Sequence, residues 1–397
     1  MRFIKRCNPQ PPEGGLWELR FLNRSKKKHK KMNKAVKAND SQPASLPLGG
    51  SRRGLLGDLG VILSEIKHDK LFVLTDQHTA KLCFPLLANV AAIKDAGQIV
   101  ISANDTNKTL ENLAHIWKHL TENGATRHSL LINLGGGMIT DIGGFAAATF
   151  KRGIKYINIP TTLLGAVDAA VGGKTGINFE GFKNEIGAFY PAEYVLISSH
   201  FFSTLNREDI LSGFAEMLKH ALIHSEPEWE KLLLFDAGNV DYDWLTEAVF
   251  RSVSIKEQIV EKDPFEHNIR KALNLGHTIG HAFESFALES EKPVLHGYAV
   301  AWGLIAELYL SHRVCGFPKE KLQKTVRFIH QNYGALSIDC DDYEHLYEIM
   351  KHDKKNERSS SINFTLLADI GDIKINQTAD KELVFQALDF YRDSVGL

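Results

Sequence analysis

The sequence predicts an α/β domain with a mainly parallel sheet, followed by a mostly α-helical domain. Short apolar runs alternate with helical stretches from residue 54 to residue 198. Helical periodicity then dominates residues 199–397. Strands that alternate with helices are typical of a parallel sheet, because parallel neighbours need a crossover connection. We therefore expect two domains, 54–198 and 199–397, preceded by an N-terminal extension of residues 1–53.

The expected elements follow from apolar spacing and end signals. Strands are predicted at 71–74, 99–101, 130–134 and 156–159, with a helix at 109–123. In the second domain we expect helices at 207–224, 243–261, 273–290, 296–314 and 318–332, and one hairpin-like pair at 361–367 and 372–375.

The extension 1–53 is basic and is predicted to be disordered. Residues 1–60 contain 14 Lys and Arg against four Asp and Glu, with several prolines and little apolar periodicity. Such a segment buries too little surface to offset its ordering entropy. A nucleic-acid-binding arm is the alternative, but the rest of the chain has 33 basic against 44 acidic side chains. We therefore expect no nucleic-acid partner, because phosphate binding needs a basic folded surface.

Composition further narrows the class of protein. Hydrophobic residues make up 44% and charged residues 24% of the chain, as in ordinary globular proteins. No run of 18 apolar residues and no secretory signal is present, so no membrane association is expected. The four cysteines form no CxxC pair and are interpreted as free thiols, which predicts a cytoplasmic location. A small-molecule enzyme fits this composition best.

A glycine cluster and a polar segment are the first candidate binding sites. Gly135–Gly137 follows a predicted strand, where backbone amides could bind a pyrophosphate, although a glycine cluster alone is more often a tight turn. The dinucleotide fingerprint is incomplete, since Thr140 replaces its last glycine. Residues 160–190 combine hydroxyl groups, Asp168 and several lysines in a glycine-rich stretch. That stretch could bind a phosphorylated, polyhydroxylated substrate, or it could be a mobile surface loop.

A histidine group predicts a metal site in the helical domain. His277 and His281 lie four residues apart on one predicted helix, and His296 begins the next one. Glu216 lies in an apolar helix, with Lys219 one turn further on. Two histidines and a carboxylate with an open fourth position are typical of catalytic zinc. The residues alone do not decide which two of the histidines are ligands.

Long motifs in a fixed order then point to a known family. They are GGGMITDIGGFAAATFKRG, INIPTTLLGAVDAAVGGKTGINFEGFKNEIGAF, GFAEMLKHALI, ALNLGHTIGHAFE, LHGYAVAWG and HDKKN. From about residue 70 onward the chain resembles the 3-dehydroquinate synthases. The resemblance implies an NAD-binding first domain and a metal-binding helical domain. It also implies conversion of 3-deoxy-D-arabino-heptulosonate 7-phosphate to 3-dehydroquinate and phosphate in the shikimate pathway, with NAD and zinc, or cobalt in its place.

The resemblance implies a role for particular residues. The metal ligands would be Glu216, His277 and His296. Residues that bind NAD would be Asp76, Asp105, Lys108, Gly135, Gly136, Gly137, Asp141, Thr161, Thr162, Lys174, Lys183, Phe201 and Thr204. Residues that act on substrate would be Asp168, Lys174, Asn184, Lys219, Lys256, Arg270, Asn274, His281 and Lys354. Arg152 would reach a neighbouring subunit's phosphate site, which implies a homodimer.

Two alternative activities remain open at this point. The chain could be another sugar phosphate cyclase, or a metal-dependent polyol dehydrogenase of similar architecture. Arg270 and Asn274 favour the synthase, because the resemblance assigns them to a substrate carboxylate that simple sugar phosphates lack.

Overall fold

A computed structural model describes residues 3–6, 50–180, 182–290, 292–351 and 362–396. The chain forms two compact units. The first contains the described residues up to Thr161 together with Gly173–Thr204, and the second contains Thr162–Gly172 and the described residues from Leu205 onward. The predicted domain boundary at residue 198 lies close to Thr204–Leu205, where the chain passes from the first unit to the second. The prediction did not anticipate that Thr162–Gly172 belong to the second unit.

The first unit is built on a six-stranded sheet. Its strands are β1 Phe3–Arg6, β2 Leu71–Asp76, β3 Gly97–Ile101, β4 Leu130–Gly135, β5 Lys155–Pro160 and β8 Tyr194–Ile197, in the order β1-β8-β5-β4-β2-β3. Five strands are parallel, and β1 pairs with β8 in the antiparallel sense at the edge. Every residue of β2 and β4 is buried. Their mainly apolar sequences are typical of a sheet covered on both faces.

Helices and one hairpin complete this unit. The helices are α1 Gly50–Glu65, α2 Gln77–Leu82, α3 Leu110–Glu122 and α4 Gly137–Thr149, and the antiparallel hairpin consists of β6 Lys174–Phe179 and β7 Phe182–Phe189. In β4 and β5, Gly135 pairs with Pro160, so both strands end at the same edge of the sheet. Thr161 then donates its backbone N–H to the Gly135 carbonyl at 2.9 Å. The register therefore brings the glycine cluster next to the first of the two predicted threonines.

The second unit is mostly helical. Its helices are α5 Arg207–Leu222, α6 Glu226–Leu232, α7 Tyr242–Lys262, α8 His277–Glu289, α9 His296–Cys315, α10 Lys319–Tyr333, α11 Tyr343–Lys351 and α12 Lys381–Val395, with the hairpin β9 Ile362–Asp369 and β10 Asp372–Ala379. Apolar residues of α5 and α9 are almost all buried, which makes these two helices the core of the unit. No helix in the described ranges is both long and apolar enough to cross a membrane.

The predicted fold class is confirmed, and the predicted helices and strands lie within a few residues of those observed. The predictions missed strand β8, hairpin β6–β7 and helices α6, α11 and α12. The predicted disordered extension lies mainly outside the described residues. Within it, Phe3–Arg6 form strand β1 and Gly50 begins α1, neither of which the sequence analysis anticipated.

Candidate active site

Three helices of the second unit bring the predicted metal ligands together. Glu216 lies within α5, and His277 and His296 are the first residues of α8 and α9. Glu216 Oε1 is 3.3 Å from His277 Nε2 and 3.5 Å from His296 Nε2. Ring nitrogens of His277, His281 and His296 also lie within 4.8 Å of one another. The cluster therefore contains every metal candidate that the sequence suggested.

The burial and the partners of the Glu216 carboxylate are compatible with a metal ligand. Its side chain is fully buried, and neither carboxylate oxygen accepts a well-aligned hydrogen bond from the described residues. The Lys219 ammonium lies against Oε2 as an ion pair. A buried carboxylate is costly unless charged or metal partners surround it. One carboxylate and two imidazoles form a donor set that zinc prefers.

Glycines allow the ligand-bearing helices to approach closely. A Cβ built on Gly297 would lie 2.5 Å from the carbonyl carbon and Cα of Ser212, and nearer still to its carbonyl oxygen. Gly297 follows His296, and Ser212 precedes Glu216 by about one helical turn. A Cβ on Gly303 would lie 2.6 Å from the backbone nitrogen of Gly280, which joins α9 to α8 in the same way.

Contacts on the far side of each imidazole orient it toward Glu216. The Leu275 carbonyl lies 3.1 Å from His277 Nδ1. Since a carbonyl can only accept, Nδ1 donates and the Nε2 lone pair faces Glu216. Glu284 Oε2 lies 3.2 Å from His296 Nδ1. Such partners commonly fix the orientation of metal-binding histidines. Sequence reasoning missed Glu284, although it lies one turn beyond His281 on the same helix.

The charges of the cluster are strongly coupled. Burial, together with the nearby Lys219 ammonium, lowers the pKa of His277 to about 3, so this imidazole is neutral at physiological pH. Burial alone would also lower the pKa of His296, but the Glu284 and Glu216 carboxylates raise it to about 10. Against its own burial, Glu216 has a pKa held well below its usual value, chiefly by Lys219. A metal bound through His296 therefore displaces a proton.

A second buried ion pair lies in the same unit. Lys256 on α7 contacts the Asp168 carboxylate and donates to the Asp168 carbonyl at 2.6 Å. Ligand atoms of Asp168, Glu216 and His220 lie within 4.8 Å of one another. Burial raises the pKa of Asp168, but the Lys256 ammonium outweighs it and the pKa is lowered. The predicted Asp168 and Lys256 are therefore neighbours of the metal cluster.

Arg270 is held by backbone carbonyls in a short turn of the second unit. Its side chain is only 2% exposed, and its terminal nitrogens donate to the carbonyls of Pro264 and Gly172, the latter at 3.1 Å. Asn274 Nδ2 donates to Glu266 Oε1 at 2.9 Å. A buried guanidinium of fixed orientation is suited to recognition of a carboxylate.

Asp263, which the sequence analysis did not single out, organises that turn. The buried Asp263 carboxylate accepts backbone N–H groups of His267, Asn268 and Arg270 at 3.0, 2.6 and 3.1 Å. Burial raises its pKa, but these amides outweigh burial and hold the pKa of Asp263 below its ordinary value. No local sequence signal marks this role, because the donors lie four to seven residues away in an irregular turn.

We expect the stabilising effect of Asp263 to depend on pH. A carboxylate whose pKa is lowered on folding stabilises fully above its unfolded pKa, about 3.9, and the contribution is lost as the pH falls through the folded value. Asp263→Asn should therefore lower the urea midpoint at pH 7, and this deficit should shrink below about pH 4. Asp236→Asn, at an exposed position of the same unit, is the control. A deficit in Asp263→Asn that does not change with pH would contradict this account.

In the first unit, Lys108 is the centre of the predicted nucleotide-binding residues. Its side chain is 3% exposed, and its ammonium lies 3.0 Å from Asp141 Oδ2 and also contacts Asn184 Oδ1. Asp105 carboxylate oxygens lie 3.6 Å from both Lys108 Nζ and Lys183 Nζ. Burial lowers the pKa of Lys108, but Asp141 and Asp105 outweigh it and the pKa is raised. Lys108 therefore stays charged and contacts three predicted site residues, with a fourth, Lys183, linked to it through Asp105.

The glycine cluster forms the turn between β4 and α4. Gly136 is the N-cap of α4, and no side chain caps this end within the described residues. The first backbone N–H groups of a helix lack intrahelical partners and favour anions. Asp141 lies one turn inside α4, and its carboxylate pairs with the Lys108 ammonium. This ion pair explains a carboxylate at that position better than the helix dipole alone. Backbone N–H groups at the start of α4 could therefore bind an anion.

The remaining predicted residues are in varied settings. Asp76 caps α2 by accepting the N–H groups of His78 and Thr79. Phe201 is fully buried, and the hydroxyl of Thr204 donates to its carbonyl. The other positions are the buried Thr161, Thr162 whose hydroxyl accepts from Gly165 N, the exposed Lys174 and Arg152, and Lys354, which lies outside the described residues.

Known proteins are similar to this chain in sequence. The family models for 3-dehydroquinate synthase, N-terminal and C-terminal, match residues 98–212 and 213–356. A 3-dehydroquinate synthase of Parabacteroides distasonis is 56% identical over 345 residues, which are 87% of this chain and 98% of the relative. A 3-dehydroquinate synthase of Clostridium tetani is 34% identical over 328 residues, covering 81% and 86%.

Solved structures share the fold. A 2-deoxy-scyllo-inosose synthase complexed with carbaglucose-6-phosphate, NAD⁺ and Co²⁺ matches with a TM-score of 0.74 at 22% identity, over 84% of this chain and 94% of that one. A 2-epi-5-epi-valiolone synthase from Streptomyces hygroscopicus with NAD⁺ and Zn²⁺ matches with a TM-score of 0.70 at 25% identity, over 84% and 93%. The fold is that of the sugar phosphate cyclases. Within that class, the chain belongs to the 3-dehydroquinate synthase family.

Proposed function

We propose that the chain converts 3-deoxy-D-arabino-heptulosonate 7-phosphate to 3-dehydroquinate and phosphate, with NAD and a divalent metal. The observation that carries the proposal is the triangle formed by Glu216, His277 and His296 in a chain of this family. Buried Arg270 favours this substrate over a simple sugar phosphate, because a guanidinium held in a fixed orientation is suited to binding the substrate carboxylate. When bound, the metal would polarise a substrate hydroxyl and NAD would take up and return the hydride.

We propose that the side chains contribute mainly by positioning the metal and the substrate and by stabilising the substrate's negative charges. Glu216, His277 and His296 would hold the metal through atoms that the helices already orient. Arg270 and Asn274 would hold the substrate carboxylate. Positive and hydrogen-bonding side chains would offset phosphate charge and fix the hydroxyl groups: Lys174, Lys219, Lys256, His281, Asp168, Asn184 and Lys354. Holding the substrate in one orientation through all steps of the reaction can contribute much of the rate enhancement.

The first unit would hold NAD. The turn Gly135–Gly137 offers backbone N–H groups for the pyrophosphate at the start of α4. Lys108 adds a buried positive charge close to that turn, oriented by Asp141 and Asn184. The other proposed contacts are Asp76, Asp105, Thr161, Thr162, Lys174, Lys183, Phe201 and Thr204.

Phosphate release from the heptulosonate phosphate tests the activity. The assay is run with and without NAD and with and without a chelator, while NADH absorbance is followed. Release that needs both NAD and metal, with no net NADH, would support the synthase. Accumulating NADH would favour the polyol dehydrogenase, and release from a simple sugar phosphate instead would favour another cyclase.

We expect Arg270→Ala to weaken substrate binding without affecting NAD binding. A hydrogen bond to a charged group contributes about 1.5–3 kcal/mol, so KM should rise roughly 10- to 150-fold. Lys271→Ala, at the neighbouring position, is the matched control because Lys271 is bonded to Asn376 instead. Steady-state kinetics and NAD titration measure both effects, and an unchanged KM in Arg270→Ala would refute the carboxylate role.

A homodimer is also part of the proposal. Lys151, Arg152 and Gly153 all have positive φ, 49°, 64° and 112°, although two of them carry side chains. Lys151 and Arg152, together with Arg127, line a surface depression of about 400 Å³. Strained backbone of this kind is often retained where function requires it. An exposed basic turn of this kind supports a contact between Arg152 and a phosphate in the partner subunit.

Complementation between two inactive variants tests the dimer. Arg152→Ala and His277→Ala should each be inactive alone, whereas co-expressed chains should recover roughly a quarter of the parental activity. In a two-fold dimer, half of the randomly paired molecules are hybrids, and each hybrid has one intact site. Light scattering verifies the dimer. A verified hybrid dimer without recovered activity would contradict the shared site.

A cytoplasmic location is proposed as well. Cys83, Cys315 and Cys340 are free thiols in the described part of the chain. Unpaired thiols are usual in a reducing compartment.

A further inference from the structure

Glu307 is a fully buried carboxylate in the middle of α9 to which the proposed mechanism assigns no role. Its side chain is 0% exposed. Oε2 accepts the backbone N–H of Gly276 at 2.6 Å, and Oε1 accepts that of Ile279 at 3.0 Å. Both donors belong to the first turn of α8, the helix that begins at His277. One carboxylate therefore bonds to the backbone on either side of a proposed metal ligand.

The first turn of α8 depends on this contact because it has no side-chain cap of its own. The N-cap residue is Gly276, with φ 77°, and it offers no side chain to the free N–H groups. Helices leave their first four N–H groups without intrahelical acceptors. Glu307 supplies acceptors from 31 residues further along the chain. A carboxylate at this end also interacts favourably with the helix dipole.

The same contact links the two helices that carry the proposed histidine ligands. Glu307 lies on α9, which begins at His296, and it bonds to α8, which begins at His277. Ser311 Oγ donates to the Glu307 carbonyl at 2.8 Å and accepts the Leu367 N–H at 3.1 Å, which connects α9 to β9. A shift of the α8 first turn would move the His277 imidazole away from Glu216, since His277 is its first residue.

We propose that Glu307 is a positioning residue for the metal site. Its carboxylate fixes the first turn of α8, so that His277 Nε2 faces Glu216 Oε1 at 3.3 Å. The inference rests on the proposed assignment of His277 as a ligand. It goes beyond that assignment because Glu307 would affect metal affinity without contacting either the metal or the substrate. Loss of a residue that orients a metal ligand typically lowers affinity 10- to 100-fold.

The test is zinc affinity of the full chain, measured by competition with a chromophoric chelator. Glu307→Ala removes both acceptors, and Glu307→Gln retains one oxygen while turning an amide NH₂ toward the other donor. Asp380→Ala is the matched control, because Asp380 caps α12 of the same unit by accepting the Leu383 N–H at 2.9 Å. His277→Ala, measured in the same titration, reports on the ligand assignment itself.

We expect Glu307→Ala to lower zinc affinity 10- to 100-fold, Glu307→Gln to have a smaller effect, and Asp380→Ala to bind zinc like the parent even if its melting temperature falls. If Glu307→Ala does not fold, reduced affinity in a folded Glu307→Gln supports the role. Parental affinity in every folded Glu307 variant, with binding lost in His277→Ala, overturns the role of Glu307 alone. Parental affinity in His277→Ala overturns the ligand assignment and this inference with it.

Discussion

Replacing Glu216, His277 or His296 with alanine should abolish both bound metal and turnover. The Nε2 atoms of His277 and His296 lie 3.3 and 3.5 Å from Glu216 Oε1, so each variant removes one of three neighbouring donors. A catalytic metal contributes several kcal/mol to transition-state stabilisation, so turnover should fall by roughly 1,000-fold or more. Metal content after dialysis and phosphate release measure the two effects. The histidine variants are the cleaner tests, because Glu216→Ala also leaves the buried Lys219 ammonium without its carboxylate.

His312→Ala provides the matched control for the metal-ligand variants. His312 lies on α9, like His296, but its Nδ1 bonds to the Phe317 carbonyl at 2.7 Å at the other end of the helix. It should retain metal and turnover. Full metal occupancy in all three variants at Glu216, His277 and His296 would contradict the ligand assignment.

Gly297→Ala should destabilise the helical unit and weaken metal binding together. The added Cβ would lie 2.5 Å from backbone atoms of Ser212, which cannot rotate away as a side chain would. Overpacking of this kind costs about 1–3 kcal/mol, occasionally more. Because α5 and α9 must separate, Glu216 and His296 should also move apart. Thermal melting and zinc competition measure the two losses.

Gly60→Ala is the matched control for Gly297→Ala. It adds the same methyl group to a helical glycine where, among the described residues and outside the local helix backbone, no atom lies within 4 Å of the new Cβ. Alanine also has the higher helix propensity, so stability should be unchanged or slightly increased. A Gly297→Ala variant with parental melting temperature and zinc affinity would show that the helices tolerate separation at this point.

Much of the fold follows from local pattern. The buried strands β2 and β4 are mainly apolar, and the long helices of the second unit have clear apolar periodicity. Hairpin β6–β7 was missed because its segment is rich in glycine and polar residues. Strand β1 has basic residues at two of four positions, and only its pairing with β8 makes it a strand. Pairing between distant segments leaves no periodic signal in either one.

The candidate site was predictable to the extent that its chemistry is visible in residue type. His277, His281, His296 and Glu216 could be singled out because imidazoles and a carboxylate are unusual in apolar helices. The carboxylates that support the site could not be singled out in this way. Asp263 acts through an irregular turn, and Glu284 and Glu307 act through contacts between helices, none of which the sequence shows. Glu307, like Glu216, is a carboxylate in an apolar helix, but its residue type does not reveal which backbone groups it binds.

The chain path has a consequence for attempts to separate the two halves of the protein. Thr162–Gly172 cluster with the helical unit, yet residues on both sides of this segment belong to the sheet-containing unit. A fragment that begins at Leu205 would lack Asp168, and the buried Lys256 ammonium would lose its carboxylate. During synthesis, the segment is made before any helix it packs against. The helical half is therefore not an autonomous module that truncation can release, and any split-protein design must retain the segment 162–172.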